Sequence, residues 1–345
     1  MLDIGLEKLG IILKPTKNDF ESKAVLNPGI YQDKDSIHVF YRAVDNNDSS
    51  SIGYARLKGP TEVVERWNKP FMNREFSYEK KGVEDPRIVK IGDCFYFTYV
   101  AYDGKNALTC LATGKDIFKL KKRGIITPKI KYDKVGNLLE GQDLKERYFL
   151  FESHLQELFG KDVLLWDKDV FIFPRKIKGK YVMGHRILPD IQLVYFKDFK
   201  ELKSNNFWRS YLKEMSKYVV LENRYWFESR NVGGGAPPIE IEEGWLLIYH
   251  SVEELNKMRI YHASVAILDK NNPGKVLYRM DKPLFSPKES WEKKGYVNNV
   301  VFPTGTARFK DDLYIYYGAA DNSIAVAKVS LKKLRKYLVK KGVRQ

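Results

Sequence analysis

The sequence predicts an all-β fold, a five-bladed β-propeller with helical insertions, and three recurring segments predict it. An aromatic-rich strand with a polar end appears five times: IHVFYRAVD (Ile37 to Asp45), FYFTYVAYD (Phe95 to Asp103), YVMGHRILPD (Tyr181 to Asp190), WLLIYHSVEE (Trp245 to Glu254) and LYIYYGAAD (Leu313 to Asp321). Upstream of each copy lies a proline-bearing segment: NPGIYQDKD, EDPRIVKIGD, VFIFPRKIKG, APPIEIEEG and VFPTGTARFKDD. Downstream comes an alternating small and apolar run: SIGYARL, ALTCLATG, IQLVYFKD, YHASVAIL and SIAVAKVSL. A unit of at least three antiparallel strands, repeated along the chain with loops of variable length, is the signature of propeller blades.

Taken in order, the first two units follow each other closely. An insertion from Lys131 to Trp166 then breaks the repeat. Its segment DLKERYFLFESHLQELFG has apolar residues at helical spacing, which predicts a helix near Leu144 to Phe159. A second insertion, from Lys200 to about Trp226, mixes helical and extended patterns after the third unit. The fourth and fifth units complete the set, and Ser330 to Val343 reads as the end of a strand followed by a basic amphipathic helix. The repeat makes the 345 residues a single domain, since units of one ring cannot bury their faces alone.

Composition narrows the function classes. Hydrophobic residues make up 43% and aromatic residues 14%, enough for a core, and no run of eighteen apolar residues indicates a membrane span. The N-terminal MLDIGLEKLGIILKP lacks the layout of a secretory signal, so a cytoplasmic location is the default expectation. Cys94 and Cys110 fall in expected strands with no CxxC spacing, which reads as buried, reduced thiols. The formal charge of +16 fits a solvated basic surface or an anionic ligand. Its lysines and arginines are scattered through loops and the tail without a nucleic-acid motif, which points away from nucleic acid. No metal-ligand spacing is present.

In a propeller the innermost strands line a central funnel. The proline-bearing segments suit that place, because proline lacks an N–H and is tolerated at a strand start. The residue before each proline is expected to be extended, which holds Asn27 and Asp85 near the axis. The ends of the aromatic strands, with Arg42, Tyr102, Arg186, His250 and Asp321, form a second ring. Carboxylates, guanidinium groups, an imidazole and aromatic faces such as those of Tyr102 and Tyr249 are what a sugar site requires.

The sharpest local motif is Glu84-Asp85-Pro86-Arg87, where Arg87 either sets the ionisation of Asp85 or holds it in place. An Asp-Pro turn braced by an ion pair gives the same sequence. Lys168 and Asp169 begin the third proline-bearing strand and are candidates for the same reason. Arg186 is hard to place in a core without an anionic partner. Arg230 precedes the glycine run at Gly233, and glycines allow close backbone approach to a ligand. His250 reads equally as a satisfied core residue, and Asp321 as a turn. Together Arg186, Arg230 and His250 form three basic groups that can surround one phosphate.

Several of these motifs occur together: NPG at Asn27, YRA at Tyr41, EDPR at Glu84, KDVFIFP at Lys168, GHR at Gly184, GGGAPPIEIEEGWLLIYHSV at Gly233 and NNVVFPTGTARFKDDLYIYYGAADNSIAVA at Asn298. In combination they closely resemble glycoside hydrolase family 130, over all five units. The resemblance implies a five-bladed propeller acting on β-mannoside oligosaccharides with inorganic phosphate as co-substrate and no cofactor or metal. It implies inverting phosphorolysis to α-mannose 1-phosphate, with Asp85 as the general acid acting through the mannosyl 3-hydroxyl. Arg186 and His250 match the family's phosphate contacts, and Asn27, Arg42 and Asp321 its mannosyl contacts. The chain departs from the pattern where the family often has a lysine two residues before the glycine run. Here that position is Asn231, preceded by Arg230.

A phosphate anion is already a nucleophile, so one catalytic carboxylate suffices. An inverting hydrolase needs a second to activate water. If Arg230 points away from the phosphate, a β-mannosidase follows, with Asp169 or Glu228 as the base. A different five-bladed glycosidase and a non-enzymatic carbohydrate-binding platform are the remaining alternatives. The inserted helix, exposing Phe149, Leu150 and Phe151, is a place for a homo-oligomer contact.

Overall fold

The computed structural model describes residues 4–343. An N-terminal strand β1 (Glu7–Leu13) precedes five antiparallel units. The first holds β2 (Ala24–Asp33), β3 (Ser36–Val44), β4 (Ser50–Lys58) and β5 (Glu62–Arg66), and the second β6 (Gly82–Ile91), β7 (Cys94–Tyr102), β8 (Ala107–Gly114) and β9 (Lys121–Ile125). The third holds β10 (Lys168–Ile172), β11 (Tyr181–Arg186), β12 (Ile191–Phe196) and β13 (Val219–Leu221). The fourth has β14 (Asn231–Gly234), a short β15 (Ile239–Glu240), β16 (Trp245–Leu255), β17 (Met258–Leu268) and β18 (Val276–Arg279). The fifth has β19 (Val301–Phe309), β20 (Asp312–Ala319) and β21 (Ser323–Ser330), and β1 pairs with β21 as its fourth strand. The chain's two ends are thereby sewn into one sheet. A single parallel bridge, Ser50 to Gly82, links the first two units into one hydrogen-bonded sheet.

The apolar clusters explain the order of the units. Each of the five larger clusters lies between one unit and the next: Phe40 and Tyr54 against Phe97, Val89 and Leu111 against Val170 and Val194, Phe171 and Val182 against Trp245, and Leu246 and Val265 against Ile315. The fifth sets Val25 and Val39 against Tyr316 and Val326, so the last unit packs on the first. Alternate residues of each strand face opposite neighbours, which is why these strands are apolar on both faces. The first strands of neighbouring units also meet: β19 lies against β2, β2 against β6, β6 against β10 and β10 against β14.

The insertion contains two helices, α1 (Tyr132–Leu139) and α2 (Arg147–Phe159), where the sequence predicted one from Leu144. The amphipathic YDKVGNLL of α1 is short enough to escape a periodicity reading. Tyr148 anchors α2 on the third unit, its hydroxyl donating to Asp190 Oδ2 at 3.0 Å. The second insertion forms α3 (Asn205–Leu212), capped by the Ser204 hydroxyl, and then β13. A four-residue α4 (Ser290–Lys293) precedes the fifth unit, and α5 (Leu331–Lys341) ends the chain, burying Leu331, Leu334 and Leu338. Cys110 is buried, whereas Cys94 is only half-buried; both are free thiols.

Two expectations about the first strands need correction. The residue before the proline is not extended: Asn27 and Asp85 both have φ of 49°. Each sits at a register shift, between Leu26 and Gly29 and between Glu84 and Arg87. The bulge puts one residue in the left-handed region and turns its side chain out of the strand's alternation, a conformation Asn and Asp tolerate better than most. Asp169 repeats it without a proline, with φ of 57° at the shift between Lys168 and Phe171. Proline is therefore not the common device, and in the third and fourth units Pro174, Pro237 and Pro238 lie beyond the first strand.

Candidate active site

The three bulges carry Asn27, Asp85 and Asp169, buried to within 7% of complete, into one polar cluster. One half of it is rich in carboxylates. Asn27 Nδ2 donates to Asp85 Oδ1 at 2.8 Å. Arg42, from β3, is 2.9 Å from Glu84 Oε1 and 3.8 Å from Asp85 Oδ1, and its Nε donates to the Ser50 hydroxyl at 2.9 Å. Burial alone would raise the Asp85 carboxyl, but Arg42, Lys168, Arg87 and the Asn27 amide together hold it below the usual carboxylate range. Asp321, in the left-handed region at φ 49°, has the opposite balance: burial pushes it up to about 6, and the Asp85 charge adds to the rise against Arg42 and Lys168. Two carboxyls sharing one set of cations titrate as a pair.

Arg87 does not pair with the Asp85 carboxylate. Its NH1 donates to the Asp85 carbonyl at 2.9 Å and its Nε to the Gly235 carbonyl at 2.6 Å, which ties the bulge of the second unit to the fourth. It is a positioning group, only 1% exposed. Tyr102 and Trp166 form an aromatic corner, ring centroids 6.3 Å apart, and the Lys168 ammonium lies 5.7 Å above the Trp166 ring. The composition signal for a sugar-stacking face was read at Tyr102 and Tyr249; Trp166 was missed because it lay in the insertion.

The other half is cationic and under-bonded. Arg186 Nε lies 2.9 Å from Asp169 Oδ2, at an angle that makes an ion pair rather than an aligned hydrogen bond. His250 Nε2 is 3.8 Å from the same oxygen. Burial pushes His250 down to about 4, so at neutral pH it is an uncharged imidazole and not the basic group the sequence suggested. Of the ten buried polar side-chain atoms without a hydrogen-bond partner among the described residues, six belong to this site: Asn27 Oδ1, Asp169 Oδ2, Arg186 Nε, Asn231 Nδ2 and both ring nitrogens of His250. Buried polar groups are normally satisfied, so the concentration of exceptions makes this cluster the candidate for a polar ligand. Gly233 makes the closure possible: a Cβ there would lie 2.3 Å from His250 Cε1 and 2.6 Å from Asp169 Oδ2.

Arg230 takes a different place from the one its sequence position suggested. Its guanidinium pairs with Glu254, NH1 to Oε1 at 3.2 Å, and lies 5.0 Å over the Phe151 ring of α2, at the rim. Tyr249 is fully buried, its hydroxyl donating to Glu228 Oε1 at 2.9 Å and accepting from Arg279 Nε at 3.0 Å. It has no free hydroxyl to offer a sugar. Glu228 is equally occupied, taking two backbone N–H groups and Arg279 besides, which removes it as a base.

Glu228 belongs to a repeated device that the sequence reading missed. Glu21, Glu79, Glu228 and Glu292 are each 0% exposed, just ahead of the first strand of a unit. Each accepts from a second-strand tyrosine, Tyr41, Tyr99, Tyr249 or Tyr317, at 2.7 to 2.9 Å. Each also binds a cation from the unit's outer strand: Arg66, Lys122, Arg279 or Lys8. The recurring aromatic-Glu dipeptide (Phe20-Glu21, Tyr78-Glu79, Phe227-Glu228, Trp291-Glu292) was the available signal. In the third unit His185 replaces the tyrosine and bonds Asp167 and Tyr211, each at 2.8 Å. The residue after each latch tyrosine, or after His185, is Arg42, Val100, Arg186, His250 or Gly318, so three of the five neighbours belong to the site.

Comparison with known proteins agrees with this geometry. The family model described as beta-1,4-mannooligosaccharide phosphorylase matches residues 13–340. A 1,2-beta-oligomannan phosphorylase of Thermoanaerobacter sp. (strain X514) is 32% identical over 335 residues, covering 94% of this chain and 96% of that protein. A beta-1,4-mannooligosaccharide phosphorylase of Ruminococcus albus is 38% identical over 173 residues, covering 48% of each. The solved structure of a β-1,2-mannobiose phosphorylase from Listeria innocua, in complex with β-1,2-mannobiose, superimposes with a TM-score of 0.73 at 23% identity, covering 98% of this chain and all of that one, which is a likeness of fold. With the family model spanning nearly the whole sequence, this chain belongs to glycoside hydrolase family 130.

Proposed function

We propose that the protein is an inverting β-mannoside phosphorylase, folded as a five-bladed propeller whose funnel mouth holds the polar cluster. Five apolar interfaces for five units, the last returning to the first, support the closed ring. The observation that carries the reaction is the division of the site: a hydrogen-bonded carboxylate half at Asp85 beside an under-bonded half at Arg186, Asn231 and His250.

In this reading the mannosyl unit lies over Asn27, Arg42 and Asp321, with Glu84, Tyr102 and Lys168 around it. Phosphate sits against Arg186 and His250, where the guanidinium supplies charge and the neutral imidazole and the Asn231 amide supply hydrogen bonds. A phosphate oxygen forms a bond to the anomeric carbon as the glycosidic C–O bond breaks on the opposite face. The leaving oxygen takes a proton relayed through the mannosyl 3-hydroxyl from Asp85, giving α-mannose 1-phosphate. The incoming phosphate charge raises the Asp85 pKa from its depressed value, so the acid is protonated in the complex that needs it. The two relatives that align over nearly the whole chain carry names for β-1,2-linked substrates, which favours that linkage over β-1,4. No described helix is long and apolar enough to cross a membrane, and a cytoplasmic enzyme drawing on cellular phosphate fits this chemistry.

The test is incubation with β-1,2- and β-1,4-mannobiose, with and without inorganic phosphate, assaying α-mannose 1-phosphate and free mannose. Phosphate-dependent α-mannose 1-phosphate is expected. Mannose release indifferent to phosphate would overturn the reading in favour of hydrolysis, with Asp169 as the base.

A further inference from the structure

The fourth unit carries a polar track that leaves the central cluster and ends in a cavity no step above uses. In the β16–β17 ladder, His250 pairs with Ala263, Val252 with Tyr261 and Glu254 with Arg259. Alternate residues share a face, so His250, Tyr261 and Arg259 lie on one side of the sheet, in successive rows moving outward. The rings of Tyr261 and His250 are 6.3 Å apart and nearly parallel. From His250 to the row of Glu254 and Arg259 is roughly 13 Å along the strand.

At that outer row α2 and the sheet flank an open cavity of about 270 Å³, lined by Arg147, Phe151, Arg230, Glu254 and Arg259, with Leu150 and His154 completing the helical wall. Arg147 crosses from α2 to donate to the Ser229 and Arg230 carbonyls, the latter at 3.1 Å. Glu254, the cavity's one carboxylate, pairs with Arg230. Arg147 and Arg259 have no carboxylate partner among the described residues, so the cavity keeps two uncompensated guanidinium groups beside an apolar wall. Its volume is just below the roughly 300–1,000 Å³ of pockets that enclose a whole ligand. That suits one group of a longer ligand whose remainder lies in the central cluster.

We propose that this cavity is a subsite for an anionic sugar, one bearing a phosphate or a carboxylate, in a ligand that reaches outward past His250. Arg147 and Arg259 take the oxyanion, with forks suited to bidentate contact, while Leu150 and Phe151 cover the apolar face of the ring. This rests on the mannoside reading for the ligand that fills the central cluster. The cavity's preference for an anion can nevertheless be read by binding alone.

The experiment is calorimetric titration of the full chain with mannose 6-phosphate, glucuronate, mannose and inorganic phosphate, repeated on Arg259→Gln and Leu150→Asp. Both substitutions are at exposed positions remote from the central cluster. One of the two anionic sugars is expected to bind at least about tenfold more tightly than mannose, the size of one charge-assisted hydrogen bond. Each variant is expected to lose most of that preference while leaving the affinity for mannose and inorganic phosphate unchanged. Equal affinities in the parent protein, or a preference that both variants retain, overturns the proposal. Preference without any mannobiose phosphorolysis overturns the catalytic reading and leaves the anionic subsite standing.

Discussion

Two sets of buried charges in this molecule look alike in sequence and differ in structure. The Glu–Tyr–cation latches of the first, second, fourth and fifth units have carboxylates whose oxygens are saturated by a hydroxyl, a cation and further hydrogen bonds from the chain just ahead. The central cluster has buried carboxylate and imidazole groups beside partly buried guanidinium groups, and six of its polar atoms lack a hydrogen-bond partner. A saturated buried charge holds a fold together, because every lost water contact has a replacement. An unsaturated one is open to a partner from outside the chain, and in the proposed reading that partner is the substrate or phosphate. The difference separates Glu228 and Tyr249 from Asp169 and His250, which residue type alone could not do.

The comparison predicts opposite phenotypes. Asp85→Asn should lower kcat by about 10²–10⁴-fold, the usual worth of a general acid, while thermal unfolding stays near that of the parent. Lost turnover accompanied by lost mannoside binding would instead make Asp85 a binding residue. Glu228→Gln should do the reverse. It strips Arg279, 1% exposed, of its carboxylate, at about 3–5 kcal/mol of stability measured by denaturant unfolding. The folded fraction should keep its kcat, and a specific loss of turnover would contradict the separation.

Within the cluster, Arg186→Gln should raise the KM for phosphate by roughly tenfold or more, as loss of a charged hydrogen bond implies, with mannoside affinity unchanged. A rise in mannoside KM instead would break the division of the site into two halves. The smallest effect concerns Asp321. Its folded pKa of about 6 lies above the unfolded value, so the folded state holds the proton more tightly. Stability therefore falls as pH rises from the unfolded pKa through about 6 and stays lower above it. Asp321→Asn should accordingly add about 1 kcal/mol at pH 7.5, one pKa unit's worth after discounting solvent at a half-buried site, and nothing at pH 3. Unfolding curves at the two pH values decide it, and a gain of equal size at both would remove the carboxylate as its cause.

The repeat was legible because strand periodicity and aromatic content are local. The aromatic strands and those after them were placed within a few residues, and the terminal helix likewise. Asp85, Asn27 and Arg42, which lie together in the structure, were singled out through EDPR, NPG and YRA, whose unusual pairing of charge with proline or an aromatic strand shows in a short window. What escaped depended on side-chain partners far away in sequence: Arg230 turning to Glu254 and Phe151, Tyr249 locked by Glu228 and Arg279, Trp166 meeting Tyr102. Helix α1 escaped for a different reason, being too short to display a period.

By itself, then, the sequence determined five repeated β units and the apolar faces that pack them. Tertiary structure decided which buried charges are satisfied and which keep polar atoms without a hydrogen-bond partner. Satisfaction is a property of distances between segments that only packing brings together, and the low dielectric of the interior makes each such distance matter.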